Sequence, residues 1–283
     1  MLGRACLYRL RWREPRWQVD GTARTAGATR TFDVAQGQEG LGPLLDPGAY
    51  QYVINCIGIG KTSIDETNSA SVAGAVAVNA LFPHLLAAAA GSREIRVLSV
   101  STDAVFSGRG DTSYLEGTPV DPVDVYGRSK TLGESMAPHV LNIRCSIVGR
   151  SDHGRGLTEW YLRTPPTATV GGYSDYIWTP VTVYQFADLI HSVLRAKAFE
   201  ALRREGPVVH FAPNAPLSKF EYLTQLRRLS RRGARVEATA GPDGPCCRVL
   251  SSSRAVLEDL GPAADWTAAL HEILAEDAAL HDA

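Results

Sequence analysis

The sequence predicts an α/β protein: a doubly wound parallel sheet with a smaller carboxy-terminal lobe. Three observations carry this expectation. Short apolar runs at 52–58, 97–101 and 140–147 alternate with longer helical stretches, the pattern of a parallel sheet wrapped by helices. Thr102, Gly58 and Arg24 fall at the carboxyl ends of such runs, where these sheets bind ligands. After Gly149 the texture changes, because Gly154, Gly156, Pro165, Pro166, Gly171 and Gly172 break the chain into shorter elements. The lobe boundary is therefore placed near residue 150, with 1–149 as the nucleotide-binding type of domain and 150–283 as the second lobe, part of which returns to the first sheet.

Taken in order, residues 2–13 read as a helix with Leu2, Cys6, Leu7 and Leu10 on one side, ended by Pro15. Residues 17–22 read as a strand and 31–34 as a short one ending near Asp33. Tyr52 to Gly58 is an apolar strand running into a glycine turn. Residues 68–90 are helical, 97–101 a strand, 126–136 a helix and 140–147 a strand. In the second lobe 184–197 is helical, 208–211 a strand, 218–229 a helix and 266–274 a final amphipathic helix. Arg227, Arg228, Arg231 and Arg232 read as a solvated helix end, where cations also suit the dipole.

The bulk numbers narrow the function classes. With 283 residues the chain can bury a substantial core. A net charge of −1 gives no electrostatic case for nucleic acid or for an anionic membrane surface. Five scattered cysteines show neither zinc spacing nor a secreted disulfide framework, so no metal is expected and a reducing cytoplasm is the expected compartment. The uncharged run from Thr67 to Ser92 has membrane-span length, but it is mostly Ala and holds Asn68, Asn79, Pro83 and His84. A buried helix accounts for it better.

The chemistry concentrates in one stretch. Val97 to Phe106 is an apolar strand ending in Ser101, Thr102 and Asp103, and it is followed after a loop by Tyr126 and Lys130. At i and i+4 the phenol and the ammonium share one helix face. A phenol titrates near ~10, and a neighbouring positive charge brings its acid/base chemistry closer to neutral pH. With a strand-end hydroxyl, these groups can protonate a carbonyl oxygen while a hydride reaches its carbon. A lone Tyr-x-x-x-Lys arises often by chance; the strand-end Ser-Thr-Asp and the Gly- and Pro-containing loop before it favour catalysis over packing.

These residues resemble a known family. Ser101 to Gly108, Tyr126-Gly127-Arg128-Ser129-Lys130, Gly133-Glu134, the stretch 142–149 and Trp178-Thr179-Pro180 are similar to the extended short-chain dehydrogenase/reductases of the dTDP-4-dehydrorhamnose reductase group. The similarity continues more weakly through His210 and Ser218-Lys219, and so spans roughly 1–230. It implies a Rossmann-like domain binding NADP(H) in preference to NAD(H), and a second lobe holding a nucleotide-sugar. By position it implies Tyr126 as proton donor, Lys130 on the nicotinamide ribose and Thr102 on the substrate carbonyl. Asp103, Val105, Phe106, Tyr126 and Trp178 would be the substrate-binding set, with packing the competing account of Trp178 and a turn cap that of Asp103. Gly3, Arg24, Asp33, Cys56, Ile57, Gly58, Asn79, Ser101 and Cys145 would join Tyr126 and Lys130 along the cofactor. Asn79 could equally bond to neighbouring backbone, and Arg24 could be an ordinary loop cation in place of a 2′-phosphate ligand.

The family opens with a strand and a Gly-x-x-Gly-x-x-Gly turn. The sequence begins at the end of that turn, with Gly3 as its last glycine, so the first strand is expected to be absent. The expected function is NAD(P)H-dependent reduction of a nucleotide-linked 4-keto-6-deoxysugar, with a homodimer as the expected assembly. Two rivals stay open: a non-catalytic regulatory or binding subunit on the same fold, and a nucleotide-sugar epimerase.

Overall fold

The computed structural model describes all residues except 25–28, 46–49, 111, 152–153, 231–232, 261–264 and 280–283. The expectation for Arg231 and Arg232 lies outside the described residues. The order of elements is α1 (Leu2–Arg13), β1 (Thr22–Ala23), β2 (Arg30–Thr31), α2 (Gly37–Leu44), β3 (Tyr52–Asn55), α3 (Ser69–Ala75), a π-helical segment (Val76–Leu81), α4 (Phe82–Gly91), β4 (Arg96–Thr102), α5 (Val125–Leu132) and β5 (Val140–Val148). Then follow α6 (Leu157–Arg163), β6 (Thr169–Tyr173), β7 (Tyr176–Trp178), β8 (Pro180–Thr182), α7 (Val183–Arg195), α8 (Phe199–Arg204), β9 (Val208–His210), β10 (Leu217–Ser218), α9 (Lys219–Ser230), β11 (Arg235–Thr239), β12 (Cys246–Arg248), α10 (Val256–Asp259) and α11 (Trp266–Ala279).

The main sheet is parallel throughout, in the order β3-β4-β5-β8, with β9 pairing β5 below β8. It is the doubly wound, Rossmann-like α/β fold that the strand and helix alternation predicts. Its strands are buried on both faces, and the period-2 alternation sorts their side chains. Leu98, Leu141 and Ile143 face α1 and α7 through Cys6, Leu10, Phe186, Ile190 and Val193. Val97 and Val140 face α2 and α4 through Leu41, Phe82, Leu86 and Ala90. The sheet thus has helices on both sides, and its strand ends emerge together at one edge.

β8 and β9 lie beyond residue 150 yet pair with β5. The remainder of the second lobe contains the sheet β10-β7-β12 and the pair β11-β6, packed on α6, α9 and α11 around Tyr161, Trp178, Tyr222, Leu226 and Ile273.

Several local differences from the sequence reading have physical reasons. The strand expected at 17–22 shrinks to Thr22–Ala23, which among the described residues pairs only with Arg30–Thr31. β3 is an edge strand, paired with β4 alone among the described residues. The helix expected to reach residue 136 stops at Leu132. There Gly133 passes so close to the π-helical segment that a Cβ would lie 2.0 Å from the Asn79 carbonyl oxygen. Ser69–Gly91 is the one helix among the described residues long and apolar enough to cross a membrane; Phe82, Leu86, Ala87, Ala89 and Ala90 bury its inner side against the sheet.

Candidate active site

β4 delivers Thr102 to the carboxyl edge of the sheet, and the next three residues turn sharply. Thr102 Oγ1 accepts from the Ala104 amide at 3.1 Å, capping that turn, and donates to Asp103 Oδ1 at 3.1 Å. α5 starts beside it because the Asp124 carboxylate accepts from the Gly127 amide at 2.7 Å, an N-cap. Gly127 is needed there, since a Cβ would lie 2.2 Å from the Ala104 carbonyl oxygen. The close crossing brings the Tyr126 phenol beside the Thr102 hydroxyl.

The electrostatics differ from the expectation drawn from the Tyr/Lys spacing. Burial pushes the Tyr126 phenol up to about 12, a rise that the neighbouring Thr102 hydroxyl only partly offsets and that the Asp103 charge adds to. Lys130 turns toward the sheet, where its Nζ donates to the Val100 carbonyl at 2.7 Å. Burial lowers its pKa, and the Glu134 carboxylate opposes the fall. Tyr126 is therefore a neutral phenol across the physiological range, the protonation state of a donor rather than of a base.

Asn79 sits in the π-helical segment, a distortion often found at functional sites, and is fully buried. Its carboxamide accepts from Ile59 N at 2.8 Å and donates to Ile59 O at 2.9 Å and to Ser129 Oγ at 3.2 Å. It therefore clamps the loop after β3 to α5. Cys56, Ile57 and Gly58 begin that loop, and a Cβ on Gly58 would lie 3.4 Å from Asn79 Oδ1. Gly3, in the first turn of α1, stands against Cys56. Cys145 pairs in register with Thr102 on the adjacent strand, and burial pushes its thiol up. Ser101 is turned away from this edge, its hydroxyl donating to Glu134 Oε1 at 2.6 Å.

Other candidates stand elsewhere. Arg24 is exposed after β1 and makes no hydrogen bond or ion pair among the described residues. The Asp33 carboxylate caps the following 3-10 turn by accepting from the Ala35 amide at 2.9 Å. Val105 and Phe106, expected to line the sugar pocket, are fully buried with Tyr114 and Leu250. Phe106 stacks on Tyr114 at 4.1 Å between ring centroids, so both are core, placed there by the turn that Thr102 caps. Trp178 is likewise fully buried, and its ring face is covered by Lys219.

That lysine belongs to a cluster that sequence reasoning missed. Lys219 Nζ lies 3.5 Å from the Trp178 ring centroid and 4.7 Å from that of Tyr176. Arg248, buried on β12, donates from Nη1 to Tyr176 Oη at 3.2 Å and from Nη2 toward Ser107 O at 3.5 Å. Its Nε has no partner among the described residues. No carboxylate lies at ion-pair distance from either cation among the described residues; the Asp103 charge reaches both from further off. Burial lowers Lys219 to about 8 despite the opposing pull of Asp103. The only sequence signal was Ser218-Lys219, a weak part of the resemblance with no role attached. The described residues contain no group of three His, Cys, Asp or Glu side chains arranged for a metal ion.

The doubly wound parallel sheet, with Thr102, Tyr126 and Lys130 at its carboxyl edge, has the architecture of an extended short-chain dehydrogenase/reductase. The chain belongs to the RmlD family: the model described as "RmlD substrate binding domain" matches residues 16–278. The dTDP-4-dehydrorhamnose reductase of Mycobacterium tuberculosis is 30% identical over 244 residues, covering 80% of this chain and 77% of that one. The probable low-salt glycan biosynthesis reductase Agl14 of Haloferax volcanii is 36% identical over 146 residues; the match spans 48% of each chain, about half of the relative's length. Among solved structures, the dTDP-4-dehydrorhamnose reductase of Bacillus anthracis in complex with NADP superposes with a TM-score of 0.70 at 18% identity, covering 88% of this chain and 90% of that one.

Proposed function

We propose that this protein reduces the keto group of a nucleotide-linked 4-keto-6-deoxysugar with a nicotinamide cofactor. The observation that carries the reading is the set Thr102, Asp103 and Tyr126 at one strand end, with Lys219 and Arg248 of the second lobe within reach of the Asp103 charge. The first part suits a carbonyl oxygen. The second suits the diphosphate of a nucleotide-sugar, because phosphate offers buried cations the negative charge that this cluster lacks.

The residues present fit a nicotinamide cofactor. Lys130 has three N–H donors, of which the Val100 carbonyl takes one, leaving donors for ribose hydroxyls. The 56–59 loop is clamped by the bonds of Asn79 to the Ile59 backbone, and Gly58 there presents backbone without a side chain. The Bacillus anthracis structure is in complex with NADP; in this chain Arg24 is the cation after β1 that would favour NADP(H) over NAD(H). When bound, the cofactor supplies the hydride.

The chain's own residues do the rest. Thr102 orients the carbonyl oxygen and Tyr126 donates the proton as negative charge develops there. Lys130 holds the cofactor ribose and Asp103 accepts hydrogen bonds from sugar hydroxyls. Lys219 and Arg248 neutralise the diphosphate.

Fluorescence titration with NADPH and NADH, followed by turnover of dTDP-4-keto-6-deoxysugars, tests the reading. Micromolar cofactor binding with formation of a 4-hydroxy product is expected. Absence of binding to either cofactor would favour a regulatory subunit, and an epimerised, unreduced product would favour an epimerase.

A further inference from the structure

Behind the catalytic edge lies a buried polar network that the mechanism above does not use. Glu134 follows α5, and its carboxylate receives Arg144 in a two-pronged pair, Nε to Oε1 at 2.8 Å and Nη2 to Oε2 at 2.7 Å. The two side chains retain 3% and 6% of their exposure. Ser101 Oγ adds a third bond to Oε1 at 2.6 Å.

Arg144 continues the chain. Its Nη1 donates to His210 Nε2 at 3.3 Å, while His210 Nδ1 donates to the carbonyls of Tyr114 and Ser251 at 3.1 and 3.0 Å. This tautomer is neutral, as burial and the Arg144 charge require. The His210 amide donates to Glu116, which also accepts from Ser252 and Ser253. The segment so held follows β12, the strand that carries Arg248.

A buried carboxylate satisfied by three strong donors costs far less than an unpaired one, yet an apolar pair would fill the same volume. What this pair adds is direction. Ser101 precedes Thr102 on β4, so its bond to Glu134 fixes the pitch of the strand end bearing the catalytic hydroxyl. Glu134 follows Lys130 by four residues, and its negative charge opposes the fall that burial imposes on the Lys130 ammonium; the thiols of Cys145 and Cys56 act in the same direction.

We propose that Glu134 is a positioning residue of this active site, acting through Ser101 on Thr102 and through its charge on the Lys130 ammonium. The proposal rests on the reductase reading for its catalytic consequence, but its electrostatic part is independent of any substrate. Removing the carboxylate favours neutral Lys130, so a Glu134→Gln variant has the Lys130 midpoint moved downward. Glu134→Asp, which keeps the charge, restores most of the shift.

The test follows the Cε resonances of 13C-lysine-labelled protein against pH. The chain has only four lysines, Lys61, Lys130, Lys197 and Lys219, and a Lys130→Met sample assigns the signal. A downward shift of the Lys130 midpoint in Glu134→Gln is expected, because an opposite charge favours the charged form. An unchanged midpoint in folded Glu134→Gln would overturn the proposal. If that variant does not fold, Ser101→Ala carries the test: a loss of about tenfold or more in kcat at unchanged KM supports positioning of Thr102, and unaltered kcat refutes it. Should wild-type protein prove inactive on every sugar nucleotide, the reductase reading fails while the Lys130 titration still decides the electrostatic claim.

Discussion

Lys219 Nζ stands 3.5 Å from the centroid of the Trp178 ring, with Arg248 as its cationic neighbour and no carboxylate at ion-pair distance among the described residues. The indole face gives the ammonium a partial substitute for water, and the site remains short of negative charge.

Replacing Lys219 by Met should therefore raise KM for the nucleotide-sugar about tenfold or more, a step of about 1.4 kcal/mol, while cofactor affinity stays put. Because burial lowers this ammonium to about 8, substrate affinity should weaken as pH rises through that value in the wild type and be flat in the variant. Stability has its own sign. Between about 8 and the ordinary lysine value of 10.5 the unfolded chain holds the proton and the folded chain does not, so the Lys219 contribution makes folding more favourable as pH rises across that window. Chemical denaturation at pH 7.5 and 10, wild type against Lys219→Met, measures it, the variant lacking this increment.

Tyr126→Phe should reduce turnover by about 10²–10⁴-fold, the usual worth of a positioned acid, with little effect on cofactor binding. Since burial holds the phenol near 12, an alkaline decline in kcat below pH 10 would have to come from another group, Lys130 first. Single-turnover rates between pH 6 and 10 read this; a Tyr126-dependent break near pH 8 would contradict the assigned burial.

Gly127→Ala places a methyl where only 2.2 Å separates it from the Ala104 carbonyl. Overpacking of this kind costs about 1–3 kcal/mol, and here the displaced backbone carries Thr102 and Tyr126, so catalysis should fall with the melting temperature. Gly117→Ala, with no atom within 4 Å of the added carbon, is the control and should leave both unchanged.

Glu159 in α6 accepts from Arg150 Nε at 2.8 Å and Arg163 Nε at 2.7 Å. Burial raises its pKa, but those hydrogen bonds outweigh it and bring the carboxyl to about 2. The folded value is depressed, so the associated stability is present above the ordinary value of 4.5 and is lost as pH falls toward 2. Glu159→Gln should cost about 1–3 kcal/mol at pH 7 and show a shallower acid decline than wild type, measurable by urea denaturation at pH 7, 4 and 3.

Much of this molecule follows from the sequence alone. The apolar runs at β3, β4 and β5, the helix at 2–13 and the hydroxyl and carboxylate closing β4 are local patterns, and local patterns decide which segments become strands of a parallel sheet and where their ends lie. Tyr126 and Lys130 share a helix for the same reason. What each side chain then meets was settled by packing. Burial, not the neighbouring ammonium, sets the Tyr126 phenol, because Lys130 finds the Val100 carbonyl instead. Val105 and Phe106 went into the core once Thr102 capped the turn after it. Lys219 and Arg248 reach the Asp103 field, and Arg144 reaches Glu134, only because β12, α9 and β5 converge on the same strand ends. Such meetings join residues on different elements, and spacing along a sequence carries no distance between elements until the sheet has brought them together.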